Sequence, residues 1–267
     1  MMLITEPSMH VSKRRIAGDF GQASRSYDGS ARLQRHMGEV LMGLMQPLPS
    51  GQCDLLDLGC GTGHFSERLG STWPAAAVWG VDLSAAMLAH AHAHRSSHLH
   101  WLQADAEALP FADGTFDRVF SNLMLQWSAD PVATLREACR VLKPGGQLVC
   151  STLVAGTLDT LAAAWAVADP GRAHVNRFED YDSLVERITA AWPQAVVTRE
   201  QVVLDYTDPL HLMRELKSLG ATYKAADRRN TLTSPRRLQQ MVAAYPRSDE
   251  GGIKAAYQAA YIKITRC

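Results

Sequence analysis

The feature that most constrains the fold is an apolar run leading directly into alternating glycines at residues 54–63, DLLDLGCGTG. The apolar half is typical of a buried parallel strand. Glycine at every second position permits positive φ and brings bare main chain against a ligand. A helix predicted directly behind the turn would point unpaired N–H groups and its positive dipole end into the same space. Such a turn alone fits an ordinary strand–helix junction as well as a ligand site.

Strand and helix patterns alternate through the middle of the chain. Predicted strands cover 53–58, 77–82, 99–103, 116–121 and 147–153. Predicted helices cover 63–70, 85–95 and 131–142, and 143–146 (KPGG) is predicted as a turn into the last of these strands. This alternation predicts an α/β fold with a doubly wound, mostly parallel sheet.

The flanking segments are less regular. Residues 12–46 are predicted to be helical because apolar residues recur at helical spacing. Beyond residue 154 the pattern predicts helices over 157–169, 180–191 and 208–245, and a strand over 195–205. Periodicity leaves the tail after residue 255 ambiguous, and its β-branched and aromatic residues favour a strand at its end.

Charge and cysteine usage exclude several function classes. Lys+Arg and Asp+Glu number 27 each, which argues against a general nucleic-acid or membrane-surface binder. No apolar run approaches a membrane span, and the first residues lack the basic and apolar blocks of a signal peptide. Five cysteines without a CxxC pair predict free thiols in a reducing cytoplasm and no metal site.

Polar residues end the other predicted strands of the sheet. Asp82 ends the second strand, Asp105 follows the third and Asn122 leaves the fourth. Open α/β sheets hold ligands at these carboxyl ends. Asp82 could accept both ribose hydroxyls, and Asp105 could accept an adenine amine. Each acid alone is also typical of a turn or helix cap, but their joint placement predicts a nucleoside site.

The glycine turn also discriminates between nucleosides. A dinucleotide fingerprint would place its third glycine at position 64, which is His64, whereas Gly63 comes one residue early. Asp57, just before the glycines, would hold an ammonium group and repel a diphosphate. S-adenosylmethionine carries an ammonium, a ribose and an adenine without a phosphate. It is therefore favoured, and NAD stays as the alternative.

These residues, within 50–153, resemble the class I S-adenosylmethionine-dependent methyltransferases. The flanks are similar to a narrower family, the malonyl-acyl-carrier-protein O-methyltransferases of biotin synthesis. The similar segments are 16–28 with its continuation at 33–35, 121–127, 151–158, 174–178 and 213–222. The resemblance implies seven strands with the last one antiparallel. We predict a helical lid segment over 1–49 and a methyltransferase domain over 50–267, with helical insertions near 155–190 and 207–250.

The resemblance implies methyl transfer from S-adenosylmethionine to the free carboxylate of malonyl-acyl-carrier protein. The products would be S-adenosylhomocysteine and the methyl ester that starts pimeloyl synthesis. A carboxylate is ionised at neutral pH and needs no general base, and the chain shows no Ser-His-Asp or Cys-His arrangement. Orientation would then dominate catalysis, contributing roughly 7–11 kcal/mol. A small free carboxylic acid or quinone-like acceptor, or a non-enzymatic nucleoside binder, are the alternatives.

The predicted cofactor-binding set combines residues at and after the strand ends with two residues of the predicted lid segment, Tyr27 and Gln34. Its members are Asp57, Gly59, Cys60, Gly61, Gly63, Asp82, Leu83, Met87, Asp105, Ala106, Asn122, Tyr27 and Gln34.

Arg177 is the predicted carboxylate-positioning residue, because a guanidinium can grip a carboxylate with two parallel hydrogen bonds. Lys217, His174 and Asn176 are secondary candidates. The predicted substrate pocket contains Trp127 and Phe178.

A docking surface for an acidic carrier protein would be basic. The densest candidate cluster is Lys224, Arg228, Arg229, Arg236 and Arg237, and a second one is Lys13, Arg14 and Arg15. Such runs are also typical of an ordinary solvated surface.

Overall fold

A computed structural model of the chain describes residues 13–48, 51–223, 234–249 and 251–266. Its strands are β1 (Cys53–Leu58), β2 (Ala76–Asp82), β3 (His100–Gln103), β4 (Phe116–Ser121), β5 (Leu142–Leu153), β6 (Val196–Tyr206) and β7 (Ile253–Thr265). Its α-helices are α1 (Lys13–Ala23), α2 (Tyr27–Ser30), α3 (Arg32–Leu44), α4 (His64–Thr72), α5 (Ala85–His94), α6 (Pro131–Arg140), α7 (Asp159–Ala168), α8 (Tyr181–Ala191), α9 (Pro209–Ser218) and α10 (Pro235–Ala244).

The strands form one seven-stranded sheet in the order β3-β2-β1-β4-β5-β7-β6. The first five strands run parallel to one another, and β7 runs antiparallel to both β5 and β6. The strand order reverses between β1 and β4, so a crevice opens there above their carboxyl ends. The predicted doubly wound α/β fold with an antiparallel last strand is confirmed.

Alternating residues of the central strands face two apolar layers. Leu55 of β1 packs in one layer with Met37 and Leu41 of α3, whereas Leu56 packs in the other layer with Leu135 of α6. Helix α3 is thus part of the core beside the sheet, while α1 packs against α5. The division at residues 49 and 50 stays a prediction.

Two details of the sheet differ from the sequence prediction. The turn predicted at 143–146 is wrong, because β5 already begins at Leu142 and absorbs these residues as a register shift against β4. Gly145 N–H donates to the Arg266 carbonyl oxygen at 2.8 Å, so the terminal strand holds this segment in the sheet. Residues 253–265 of the tail form one continuous strand, and the burial of this strand by neighbours on both sides explains its unclear periodicity. Among the described residues, no helix is long and apolar enough to span a membrane.

Candidate active site

The turn after β1 brings the main chain into the crevice at the strand ends. Gly59 N–H and Cys60 N–H both donate to the Val81 carbonyl oxygen, at 2.8 and 3.0 Å. Gly59 has a φ of 78°, and a Cβ atom there would lie 2.5 Å from the Met124 side chain. Both the backbone conformation and the neighbouring side chain therefore require glycine at this position.

Gly63 ends the same turn and caps the N-terminus of α4. Its φ is 75°, and a Cβ atom would lie 2.4 Å from the Trp101 ring. It is not among the residues that line the two small pockets described below. The structure therefore places this member of the predicted cofactor set in the packing between α4 and the sheet.

Asp82 ties the glycine turn to the end of β2. Its carboxylate accepts from Gly61 N–H at 2.9 Å and from Ser84 N–H at 2.7 Å. Burial raises the pKa of Asp82, and these backbone hydrogen bonds act against that rise. The carboxylate thus fixes the loop and also faces the first pocket.

The first small pocket, here the Asp82 pocket, has a volume of about 110 Å³. It contains most of the residues predicted to bind the nucleoside. These are Gly59, Gly61, Asp82, Leu83, Met87, Asp105, Ala106, Asn122 and Tyr27, joined by Trp127. The structure therefore brings together residues from four strand ends and the N-terminal helices.

Helix α1 forms one side of the Asp82 pocket, to which Ile16 and Ala17 contribute. Ser84 Oγ donates to the Ala17 carbonyl oxygen at 3.0 Å. Lys13 Nζ donates to Asp105 at 2.6 Å and to Glu107 at 2.7 Å. Although partial burial opposes the change, Lys13 lowers the pKa of both carboxyls. The Lys13 ammonium thus holds α1 against the pocket, although the sequence predicted this residue in a docking patch.

We expect Lys13→Gln to speed cofactor release from the Asp82 pocket by about two- to fivefold. The ion pairs are about one-third exposed and contribute little more than ~1 kcal/mol together. Stopped-flow tryptophan fluorescence, with Trp127 in the pocket wall as reporter, measures the release of S-adenosylhomocysteine. Lys13→Arg should restore slow release, and equal rates in all three proteins would contradict a tethering role for Lys13.

The second small pocket, here the Asp57 pocket, has a volume of about 40 Å³. Asp57 is 2% exposed, and Ser66 Oγ donates to its Oδ2 at 2.6 Å. Burial raises the pKa of Asp57 to about 7, with a further rise from the nearby Asp82 charge. The other predicted residues in this pocket are Gly59, Cys60, Gly61, Asn122, Tyr27 and Gln34.

The Asp57 pocket offers complementary charges to an α-amino acid group. A buried carboxylate with a raised pKa is stabilised by a cation, which Asp57 would find in an ammonium. Arg35 also lines this pocket, where its guanidinium could meet a carboxylate. The Gln34 Oε1 atom is buried and has no hydrogen-bond partner among the described residues. The donor set therefore fits the amino-acid end of S-adenosylmethionine.

Arg35 is a residue that the sequence prediction missed. It directly follows Gln34, and both belong to the first turn of α3. Its nearness to the glycine turn depends on how α3 packs over β1, for which the local sequence pattern gives no signal. Thr62 of the glycine turn and His64 at the start of α4 also line the Asp57 pocket and were not in the predicted set.

A large cavity of about 820 Å³ adjoins the two small pockets. Tyr27 lines all three spaces, and Gln34 lines both the large cavity and the Asp57 pocket. Burial raises the pKa of Tyr27, and the Asp82 and Asp28 charges raise it further, so its hydroxyl stays protonated. The large cavity also contains the predicted residues Trp127, His174, Asn176, Phe178 and Lys217.

Arg177 does not line the large cavity. It is exposed and lies in a neighbouring cleft of about 230 Å³, here the Arg177 cleft. Its neighbours Asn176 and Phe178 do line the large cavity. Arg177 therefore faces a different space from its two neighbours in this irregular segment. Arg172, which was not predicted, lines the cavity instead.

His174 is held in the wall of the large cavity by contacts with α7. Its ring stacks on Trp165 with centroids 4.0 Å apart, and its Nε2 lies 3.0 Å from Asp169 Oδ2. Asp169 also pairs with Arg237 of α10 at 3.2 Å. These contacts fix the His174 ring. Through Asp169 they also tie down Arg237, one of the arginines predicted for docking.

The remaining members of that docking cluster divide into two groups. Arg236 is exposed on α10. Lys224, Arg228 and Arg229 lie outside the described residues. Within the described part of the chain, no group of three or more His, Cys, Asp or Glu residues could hold a metal ion.

Comparison with known proteins places this geometry in a family. The profile of a family described as "Methyltransferase domain" matches residues 56–150. The chain is 39% identical over 263 residues to the malonyl-[acyl-carrier protein] O-methyltransferase of Serratia marcescens, covering 98% of this chain and all of that relative. It is 37% identical to the biotin biosynthesis bifunctional protein BioHC of Cellvibrio japonicus, covering 96% of this chain and 51% of that relative.

Solved structures support the fold. The YcgJ protein of Bacillus subtilis superposes with a TM-score of 0.58 at 19% identity, covering 87% of this chain and 98% of that protein. At this identity the likeness concerns the sheet and its helices. The sequence match to the Serratia marcescens enzyme covers almost the whole length of both proteins and is more specific. This match confirms the family suggested by the flanking segments. The chain belongs to the malonyl-acyl-carrier-protein O-methyltransferases.

Proposed function

We propose that the protein methylates the free carboxylate of a malonyl group carried on acyl-carrier protein, using S-adenosylmethionine. The observation that carries the proposal is the meeting of the Asp82 pocket, the Asp57 pocket and the large cavity at Tyr27. Donor and acceptor can thus approach one another from separate spaces. The biotin pathway fits the printed name of the Cellvibrio japonicus relative.

The residues of the two small pockets fit each part of the cofactor. Asp82 and Asp105 would hold the ribose and the adenine, while Asp57 and Arg35 would hold the ammonium and the carboxylate. Gly59 lets the main chain of the turn pack closely against Met124 in the wall of the Asp82 pocket. When bound, S-adenosylmethionine supplies an electrophilic methyl group.

The residues of the chain contribute orientation and exclusion of water. An ionised acceptor carboxylate needs no base to attack a methyl group. Tyr27 and Gln34 stand where donor and acceptor spaces join, and their neutral hydrogen-bonding groups can hold a carboxylate oxygen in line. We propose that helices α1 and α2 cover this junction as a lid, which the ion pairs of Lys13 with Asp105 and Glu107 would hold closed. Alignment of this kind contributes roughly 7–11 kcal/mol to a reaction barrier.

The size of the large cavity favours a carrier-bound acceptor over a small free acid. Its 820 Å³ lie in the upper part of the range of roughly 300–1,000 Å³ for small-molecule sites. A three-carbon acid would leave most of this space unfilled. A quinone-like ring would fit by volume, and it remains the alternative acceptor.

A direct competition between acceptors tests the proposal. The protein would receive S-adenosylmethionine with malonyl-carrier protein, free malonate or a quinol, and methyl transfer would be followed by mass spectrometry. We expect turnover on malonyl-carrier protein to exceed turnover on the other two by at least 100-fold. Growth of a biotin auxotroph that lacks this methylation step, when supplied with the gene, gives the cellular counterpart. Preference for the quinol would overturn the proposed acceptor.

A further inference from the structure

Two cationic side chains line the large cavity where it opens to solvent. Arg172 lies in the segment between α7 and α8, and Lys217 lies in the last turn of α9. Both residues are exposed, and neither side chain forms an ion pair with any other residue that the structure describes. The mouth of the cavity thus carries positive charge from two separate elements.

The carboxylate and histidine side chains in the cavity wall, Asp19, Glu215 and His174, are engaged with the protein. Glu215 lies 3.1 Å from Arg32 and accepts from the Tyr206 hydroxyl at 2.7 Å. His174 is held by Asp169. Arg172 and Lys217 are therefore the lysine and arginine side chains among the described residues that line the cavity.

The interior of the cavity is largely neutral. Leu161, Trp165 and Tyr257 are buried and form apolar wall, whereas Tyr27 and Gln34 stand at the junction with the cofactor pockets. A ligand that fits this cavity would be long and mostly uncharged, with its reactive end inside. Any permanent anionic group near its other end would come to lie beside Arg172 and Lys217.

We propose that Arg172 and Lys217 bind the phosphodiester of the carrier protein's prosthetic arm. This assignment deepens the proposed function and depends on it. The arm is a long, uncharged chain with a phosphodiester at its protein end and the acyl thioester at its tip, which matches the charge distribution of the cavity. A guanidinium fork and a mobile ammonium are suited to phosphate oxygens. The two cations then locate the arm rather than the reacting carboxylate.

The test compares carrier protein with and without its arm. The R172Q/K217Q double variant and the wild type would be titrated with both forms, in the absence of S-adenosylmethionine, by calorimetry. We expect affinity for the arm-bearing carrier to fall about tenfold, the combined effect of two exposed ionic contacts. Affinity for the armless carrier should not change. A loss of turnover on malonyl-N-acetylcysteamine, a thioester without phosphate, would instead assign the cations to the reacting carboxylate and overturn the inference.

Arg214→Gln serves as the matched control, because Arg214 is exposed one turn earlier on α9 and is not among the residues lining the cavity. Its affinity for both carrier forms should equal that of the wild type. Thermal melting verifies that each variant is folded. Equal losses for both carrier forms in the double variant would assign the cations to the protein surface of the carrier and overturn the inference. Unchanged affinities would overturn it as well, whereas failure of wild-type protein to methylate malonyl-carrier protein would instead refute the proposed function.

Discussion

Replacing Asp57 with asparagine is expected to weaken cofactor binding by at least roughly 100-fold while stabilising the ligand-free protein. Removing one partner from a buried charge pair costs about 3–5 kcal/mol, and Asp57 is the buried partner proposed for the ammonium. In the ligand-free protein the same carboxylate is costly, because burial raises its pKa to about 7. An asparagine keeps an oxygen for the Ser66 hydrogen bond without that cost.

The sign of the pH dependence follows from the raised pKa. Between its unfolded pKa of 3.8 and the folded value of about 7, the folded protein binds more protons at Asp57 than the unfolded chain does. The free energy of unfolding therefore falls as pH rises through this window, by about 4 kcal/mol at most. The advantage of Asp57→Asn should be greatest above pH 7 and absent near pH 4. In the wild type, cofactor affinity should drop about tenfold per pH unit below 7, since binding needs the ionised carboxylate.

Isothermal titration with S-adenosylhomocysteine and urea unfolding at pH 6 and 8 measure both effects. Asp54→Asn is the control, because Asp54 lies on the same strand, is half-buried and pairs with Lys143. It should leave cofactor affinity unchanged. A wild-type dissociation constant in Asp57→Asn would remove this residue from the cofactor site.

Asp82→Ala is expected to reduce cofactor affinity by roughly 100-fold or more. The carboxylate would lose its proposed contacts with the ribose hydroxyls, and hydrogen bonds to a charged group contribute about 1.5–3 kcal/mol each. The backbone N–H groups of Gly61 and Ser84 would also lose their acceptor, which loosens the glycine turn. Asp82→Asn retains one oxygen acceptor and should show a smaller loss of about tenfold.

A ribose analogue separates these two effects. Wild-type protein should bind 2′-deoxy-S-adenosylhomocysteine about tenfold more weakly than the parent compound. In Asp82→Ala the two compounds should bind equally, because the acceptor of the hydroxyl is gone. A persistent difference between them would assign the ribose to another residue and leave Asp82 with the loop alone.

The positions of Asp57, Asp82 and Asp105 could be predicted because each lies at or just beyond the carboxyl end of a strand with a local sequence pattern. The topology then brings the carboxyl ends of adjacent parallel strands to one edge. The contact of Lys13 with Asp105 spans 92 residues of sequence, and no local pattern specifies it. Lys13 was therefore predicted in a docking patch.

The acceptor side was predicted less well for a related reason. The segment containing Arg172 and Arg177 is neither helix nor strand, so it has no periodicity from which to infer side-chain direction. The sequence identified the segment, and the structure was needed to place Arg172 in the large cavity and Arg177 outside it. Arg35 shows the same limit, since its role depends on the packing of a whole helix.

The place of β7 between β5 and β6 has a consequence for biosynthesis. Residues 53–153 can leave the ribosome and pair five parallel strands, yet β6 then has no neighbour in the sheet until residues 253–265 have been made. During that interval the nascent chain exposes an unpaired edge at β5, which is a template for wrong pairing. Completion of the sheet thus waits for β7 to insert. A stalled or truncated chain would consist of the five parallel strands with an open edge at β5 that is prone to aggregation.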